Sequence, residues 1–299
     1  MRRRTSRFEP VTVISTGSTP ASALAAAGIR PRKSRGQNFL IQRRIAERIV
    51  AAADIRHGDS IVEIGPGLGI LTELIIRNPI GQLIAVELDQ RLAESLESRL
   101  RSDARVWIIN RDLLHLNAGD LIDDGPFKII GNLPFNLAAA ILERFCDCSD
   151  RVLRMVLMFQ REVAERIRAR AGSREYGALS AFTAMYWEIG THFRVAGGSF
   201  YPRPKVDAEV LVFTPHGQRE FAPAEEDAVR ATVRASFSAP RKTIRNSLAG
   251  GLGIEPAVAE AALAEAGIAA ASRPGNIEIG DFVRLARALG PRAHASREG

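Results

Sequence analysis

The chain has 299 residues, 46% of them hydrophobic and 25% charged, the ordinary composition of a soluble globular protein and long enough for two domains. Its formal charge of +7 and pI near 10.1 point to a polyanionic partner, a nucleic acid or an anionic membrane surface. Four lysines (Lys33, Lys128, Lys205, Lys242) against a majority of arginines leave a plain compositional bias as the alternative. No apolar run approaches the roughly 20 residues of a membrane helix, so no membrane partner is expected. Two cysteines, Cys146 and Cys148, exclude a disulfide framework, have no matching pair for a zinc site, and fit a reducing compartment. No secretory h-region follows the basic start, so the protein is expected in the cytoplasm.

Residues 1–20 are rich in Arg, Ser and Thr with Glu9 the only acid, and are expected to form a disordered basic arm. A transit peptide and a start placed too early are the other readings. A short helical stretch from Ala21 ends at Gly28, and the basic loop RPRKSRGQNFL leads into an amphipathic helix, IQRRIAERIVAAA. Strands and helices then alternate. The strands are SIVEI (60–64), QLIAVE (82–87), RVWIIN (105–110), FKIIGN (127–132) and RVLRMVLMF (151–159). Their nearly continuous apolar character is that of strands covered on both faces, and the alternation predicts a parallel, doubly wound α/β sheet. THFRV and AEVLVFTP are expected to add an antiparallel pair around the loop FYPRPKVD. After Pro215 only helical patterns remain, which places a boundary between a domain over 21–216 and a small all-helical domain over 217–299.

The chemistry begins at Glu63-Ile64-Gly65-Pro66-Gly67-Leu68-Gly69, a strand, a glycine turn and a helix start. Gly65 and Gly67 let a ligand approach the backbone. The spacing is G-x-G-x-G, and Ile70 stands where a dinucleotide fingerprint needs its third glycine. An acid at position 63 suits the ammonium group of S-adenosylmethionine better than a pyrophosphate. Glu87 closes the next strand, where a carboxylate accepts hydrogen bonds from both ribose hydroxyls. Asp112 follows the third strand, placed to accept from an adenine amine. Asn132-Leu133-Pro134-Phe135 ends the fourth. There the Asn132 amide oxygen and the Leu133 carbonyl can draw an adenine amine toward tetrahedral geometry and free its lone pair. Pro134 stiffens the turn, and Phe135 can stack on an extruded base. Arg32, Lys33 and Arg35, then Arg203 and Lys205, then Arg241, Lys242 and Arg245 are the candidate phosphate contacts. Arg161, Arg166, Arg168 and Arg170 read as a solvated charged face.

In this order GQNFL, VEIGPGLG, VELD, GNLPFN, FQREVAERI, YGALS, FYPRPKVD, RKTIRNSL and RPGNIEIGDF resemble the small-subunit ribosomal RNA adenine N6,N6-dimethyltransferases, from about residue 22 to residue 290. The resemblance implies a Rossmann-like class I methyltransferase domain with a helical C-terminal domain. It implies dimethylation, from S-adenosyl-L-methionine, of two adjacent adenosines in the 3′-terminal hairpin loop of 16S rRNA. The expected substrate form is a small-subunit precursor, and the expected enzyme a monomer. Carried over, the cofactor contacts are Asn38, Leu40, Gly65, Glu87 and Asp112, with Asn132 at the junction with the base. Phe135 stands where the family more often has tyrosine, and the arm before Ala21 has no counterpart. The rivals are the related large-subunit enzyme of macrolide resistance, for which an Ile in place of Leu133 is expected, and a non-catalytic RNA-binding assembly factor.

Overall fold

The computed structural model describes residues 24, 37–116, 121–122, 125–133 and 138–290. The arm, the helical stretch expected from Ala21 except Leu24, and the side chains of Arg32, Lys33, Arg35, Pro134 and Phe135 lie outside them.

Seven strands form the central sheet. In chain order these are β2 (Ser60–Ile64), β3 (Gln82–Glu87), β4 (Val106–Asn110), β5 (Phe127–Asn132), β6 (Val152–Gln160), β7 (Trp187–Val195) and β9 (Ala208–Pro215). Their spatial order is β4-β3-β2-β5-β6-β9-β7. The first five are parallel, and β9 is antiparallel to both β6 and β7. The expected antiparallel pair is present, but β7 begins at Trp187 and is longer than THFRV. Two further short strands, β1 (Phe39–Leu40) and β8 (Phe200–Tyr201), pair antiparallel outside the sheet.

Ten α-helices cover it. They are α1 (Arg43–Ala52), α2 (Ile70–Ile75), α3 (Gln90–Leu100), α4 (Ala138–Cys146), α5 (Arg161–Ile167), α6 (Ala178–Tyr186), α7 (Glu226–Ser236), α8 (Ile244–Leu252), α9 (Pro256–Glu265) and α10 (Ile279–Leu289) among the described residues. Helix α1 illustrates the local rule. Ala46, Ile49 and Val50 recur at helical spacing and are buried, while Arg44, Glu47 and Arg48 face outward. They pack with Ile61, Val156, Met158 and Val210 of the sheet.

The apolar core does not stop at residue 216. One cluster runs from Ile129 and Leu157 of the sheet through Phe182 and Tyr186 of α6 to Val229, Leu248 and Phe282 of the C-terminal helices. Polar groups cross the same seam. Tyr186 donates its hydroxyl to Glu226 (2.7 Å), Arg230 reaches Asp147 (2.6 Å), and Arg234 reaches Glu143 (2.9 Å). Tyr176 donates to the Ile277 carbonyl (3.0 Å), which ties YGALS to RPGNIEIGDF.

Helices α7 and α8 touch at Gly251. A Cβ there would lie 2.5 Å from the Ala235 Cα and 2.6 Å from its carbonyl oxygen. Gly251→Ala is therefore expected to lower unfolding free energy by about 1–3 kcal/mol, the usual cost of overpacking. Gly250→Ala meets nothing within 4 Å and should stabilise by about 0.5–1 kcal/mol through helix propensity. Urea denaturation midpoints of the two variants check this, and equal midpoints would refute the close crossing.

Candidate active site

The order β4-β3-β2-β5-β6 reverses its direction of growth between β2 and β5. Open α/β sheets bind ligands in the crevice beyond the carboxyl ends of the strands at such a point. Gly65 follows β2 and Asn132 ends β5 on the two sides of it. Ile64 is in register with Gly131, so the loops leave the sheet side by side.

The glycine turn passes through Gly65, Gly67 and Gly69 at φ of 63°, 57° and 87°, a region L side chains rarely adopt. A Cβ on Gly67 would come within 3.1 Å of the Phe39 ring. Phe39 thus closes over the turn, held there by the β1–β8 pairing. By this short ladder GQNFL and FYPRPKVD, 162 residues apart at Phe39↔Tyr201, both come to the glycine turn. The loop after β8 is fixed in turn by Asp207, whose carboxylate accepts from the Gly197 amide (2.9 Å) and whose carbonyl accepts from the Arg161 amide (3.0 Å).

Three carboxyls end successive strands, and their environments differ. Glu87 is 6% exposed. One of its oxygens accepts from the Gly67 amide (3.0 Å) and the other from the Asp89 amide (2.9 Å). Burial pushes the carboxyl above the usual carboxylate range, and these two amides oppose the shift. A carboxylate has about four acceptor sites, so both oxygens keep capacity for a ribose diol. Asp112 caps the turn that follows it, accepting from the Leu114 amide through Oδ1 (2.9 Å), and its side chain is 32% exposed. Asn110 ties the ends of β3 and β4 together by donating to the Glu87 carbonyl (2.8 Å).

Glu63 stands apart from the other two. It is wholly buried, and neither its oxygens nor the adjacent Thr72 hydroxyl makes a well-formed hydrogen bond. Burial pushes its carboxyl up to about 8. Burial beneath the turn thus disfavours its charged form where no cation is at hand. Glu73 in the first turn of α2, also buried, weighs against a pyrophosphate there.

Asn132 is the best-defined polar group of the site. Its Nδ2 donates to the Asn38 carbonyl at 3.1 Å. That bond fixes which end of the amide is which and leaves Oδ1 as an acceptor. The Leu133 side chain lies in the core, and its amide donates to the Met158 carbonyl (3.2 Å). Leu40 is also buried in the core, so any contribution from it to a ligand comes from its backbone. Sequence reasoning missed the Asn38 carbonyl, Phe39 and Asn110 in these roles. The motif GQNFL was the only signal for the first two.

The basic candidates fall in separate places. Arg203 and Lys205 are exposed on the loop after β8, and Arg241 and Lys242 are exposed just before α8. Arg245 is half-buried and paired with Glu260 of α9 (3.1 Å). Arg161, Arg166 and Arg168 pair with Glu165, Glu162 and Glu209. Burial pushes both cysteine thiols up to about 12, which makes them poor nucleophiles. A cavity along edge strand β4, lined by Gln82, Ile84, Leu100, Val106, Trp107 and Leu121, has none of the site residues in its wall.

The family model for ribosomal RNA adenine dimethylases matches residues 28–290. The chain belongs to that family. It is an S-adenosylmethionine-dependent rRNA adenine dimethyltransferase. It is 39% identical over 266 residues to "Ribosomal RNA small subunit methyltransferase A" of Geobacter metallireducens, covering 88% of this chain and 96% of the relative. The protein of the same name from Geobacter sulfurreducens is 40% identical with the same coverage. Among solved structures, a dimethyladenosine transferase from Plasmodium falciparum has the same fold, with a TM-score of 0.68 and 21% identity over 83% of this chain and 95% of that one. The 23S rRNA methyltransferase ErmE gives a TM-score of 0.63 and 25% identity over 84% and 99%.

The glycine turn and the Glu87 carboxylate fit S-adenosylmethionine. Glu87→Ala should weaken its binding at least about tenfold, since hydrogen bonds to charged groups contribute roughly 1.5–3 kcal/mol. Unchanged affinity by calorimetry in a folded variant would remove Glu87 from the cofactor site. Glu63 predicts a pH effect. A carboxyl whose folded pKa is raised holds its proton longer in the folded state, so the cost of ionising it is absent below the ordinary value of 4.5, grows as pH rises, and is complete above about 8. Glu63→Gln removes that cost. Its melting temperature should draw ahead of wild type as pH is raised across this window, and a pH-independent gap would mean Glu63 ionises normally.

Proposed function

We propose that this enzyme transfers two methyl groups to N6 of each of two adjacent adenosines in the 3′-terminal hairpin loop of 16S rRNA. The substrate form is a precursor of the small ribosomal subunit, the enzyme acts as a monomer, and the setting is the cytoplasm. The observation that carries the chemistry is the Asn132–Asn38 hydrogen bond. The likeness to the small-subunit methyltransferases at 39–40% identity favours this RNA over the large-subunit one.

An adenine amine is a weak nucleophile because its lone pair is delocalised into the ring. The donor supplies an electrophilic methyl group, and the chain must supply a pyramidal nitrogen. Asn132 Oδ1 is one acceptor for the amine hydrogens, and the Leu133 carbonyl is the second. Because the Asn38 carbonyl already occupies Nδ2, the amide need not reorganise when the base arrives, which is the condition under which fixed dipoles lower a barrier most. Pro134 has no N–H to compete for these acceptors. Phe135 stacks on the base, a role that needs a ring face and not a hydroxyl, so the usual tyrosine is dispensable. After the first transfer one N–H remains, and one acceptor suffices to hold it.

Asn132→Ala should lose turnover by far more than it loses cofactor affinity, because the interaction strengthens as the nitrogen pyramidalises. The experiment is single-turnover methylation of undermethylated small subunits, large subunits and naked RNA, with methyl groups mapped by mass spectrometry. Wild type should modify the small subunit and convert an N6-methyladenosine substrate onward. A fully active Asn132→Ala would end the amine-activation argument. Preferential modification of the large subunit would overturn the assigned substrate.

A further inference from the structure

Helix α1 and strand β7 bring four basic groups to one flank of the sheet, away from the arginines already considered. Arg44, Arg48 and His192 are exposed, and Arg154 of β6 is half-buried beside them, its Nε donating to the Ala52 carbonyl (2.8 Å). The backbone supplies the convergence. The register of β7 against β9 slips between Thr191 and Phe193, so His192 is an extra residue without a partner in the ladder. Such bulges re-aim a side chain. Phe193 then turns inward to the α1 side of the core, and the Arg48 guanidinium lies over its ring, 3.7 Å from the centroid. His192 packs edge-on to the same ring, and burial together with the nearby Arg48 and Arg154 charges lowers its pKa.

The acids of this flank are committed elsewhere. Glu47 pairs with Arg43 (3.0 Å), Asp54 with Arg56 (2.8 Å) and Asp59 with Lys128 (2.8 Å). Glu188, the remaining acid, is exposed on β7 at the level of Arg154, with Thr214 of β9 between them, and pairs with none of the four. Among the described residues no acid pairs with Arg44 or Arg48. A stacked guanidinium with its edge free is a preorganised fork for phosphate oxygens. Arg44 and Arg48 lie one helical turn apart, about 6 Å along the axis. The flank also leads to the site. Helix α1 starts three residues after β1, which pairs with β8, and β8 runs into the loop of Arg203 and Lys205. That loop folds back onto the turn after β7, where a Cβ on Gly197 would lie 3.3 Å from the Pro204 carbonyl.

We propose that Arg44, Arg48, Arg154 and His192 form a phosphate-binding track that holds the RNA backbone flanking the target adenosines as it leaves the active-site rim. The proposal rests on the RNA-methylation reading above and adds a second backbone contact, on the opposite side of the site from the helical domain.

The test uses the full-length enzyme and the isolated 3′-terminal hairpin RNA, with binding measured across a salt series. Arg44→Gln/Arg48→Gln should bind at least about fivefold more weakly at low salt, with a slope of log affinity against log salt shallower by about 1.5, as expected for two lost phosphate contacts. Its S-adenosylmethionine affinity should be unchanged. Arg48→Lys should restore most of the slope. Arg166→Gln, from the ion-paired face, should match wild type. If the double variant melts early, Arg44→Gln alone carries the test, with a smaller slope change of about 0.8. Equal slopes for wild type and the Arg44 and Arg48 variants overturn the track, and so does a loss matched by Arg166→Gln. Weakened binding to vesicles of anionic phospholipid with unaltered RNA binding would assign the flank to a membrane surface instead. Failure of the wild type to methylate small subunits would sink the functional reading itself, whereas normal methylation with normal binding by the double variant sinks only the track.

Discussion

The hydrogen bond from Asn132 Nδ2 to the Asn38 carbonyl is the constraint on which the site depends. It joins the end of β5 to a segment 94 residues earlier. That segment stays in place because Phe39 and Leu40 pair with Phe200 and Tyr201, and because Ile41 donates to the Ser199 carbonyl (2.9 Å). The loop beyond Tyr201 is pinned through Asp207 to the start of α5. One side-chain amide is therefore oriented by a chain of backbone contacts that closes around the crevice. Such an arrangement presents an acceptor to a base without paying for its orientation at each turnover.

The same crevice shows how similar residues take different parts. Glu63, Glu87 and Asp112 all stand at or just beyond strand ends, yet only burial and partners decide what each offers. Glu63 is wholly buried beneath the glycine turn with no well-formed hydrogen bond, and burial raises its pKa. Glu87 is nearly as buried but receives two amides, which support a charge facing the crevice. Asp112 accepts from its own turn through one oxygen, has the other 3.8 Å from the His115 ring nitrogen, and is about a third exposed. Of the two buried acids, Glu87 is the one whose oxygens are met by backbone amides at the glycine turn.

The sequence was informative where a residue's role is local. SIVEI, QLIAVE and FKIIGN coincide with β2, β3 and β5, because buried parallel strands read as apolar runs ending in polar site residues. The glycine spacing located the cofactor turn for the same reason. Strand β4 was a weaker case. It is an edge strand with Trp107 about half exposed, and its apolar run gave no hint of that. Helix α6 was missed because it is buried on nearly every side, so AFTAMYW has no amphipathic period to detect. Long-range closure was also illegible. Nothing in GQNFL says that its Asn38 carbonyl meets a side chain at position 132, and nothing in a pair of two-residue strands announces a ladder. Charge was legible in amount but not in arrangement. Arg245 stood out beside Arg241 and Lys242 by proximity in sequence, yet it turns to Glu260, while Arg48 stood in an ordinary amphipathic helix and stacks on a ring from β7.

The boundary expected at residue 217 marks a change of secondary structure more than a break in packing. Helix α4, which follows the Asn132–Phe135 segment in the chain, is gripped from two sides. Glu143 and, just past its end, Asp147 pair with Arg234 and Arg230 of α7, and Arg144 donates to the Leu114 carbonyl in the turn capped by Asp112. The helix downstream of Asn132 thus shares its anchors with the turn capped by Asp112 and with the helical layer. Arg241 and Lys242 project from that layer, so their distance from Asn132 is set by a continuous core and not by a linker. Orientation of this kind matters to catalysis, because misplacing a reacting group by about 1 Å can cost a hundredfold in rate. A helical layer fixed in this way sets the span between Arg241 and Lys242 and the Asn132 amide. Exchanging that layer, with the strand-end residues kept, would change that span while leaving the Asn132–Asn38 bond in place.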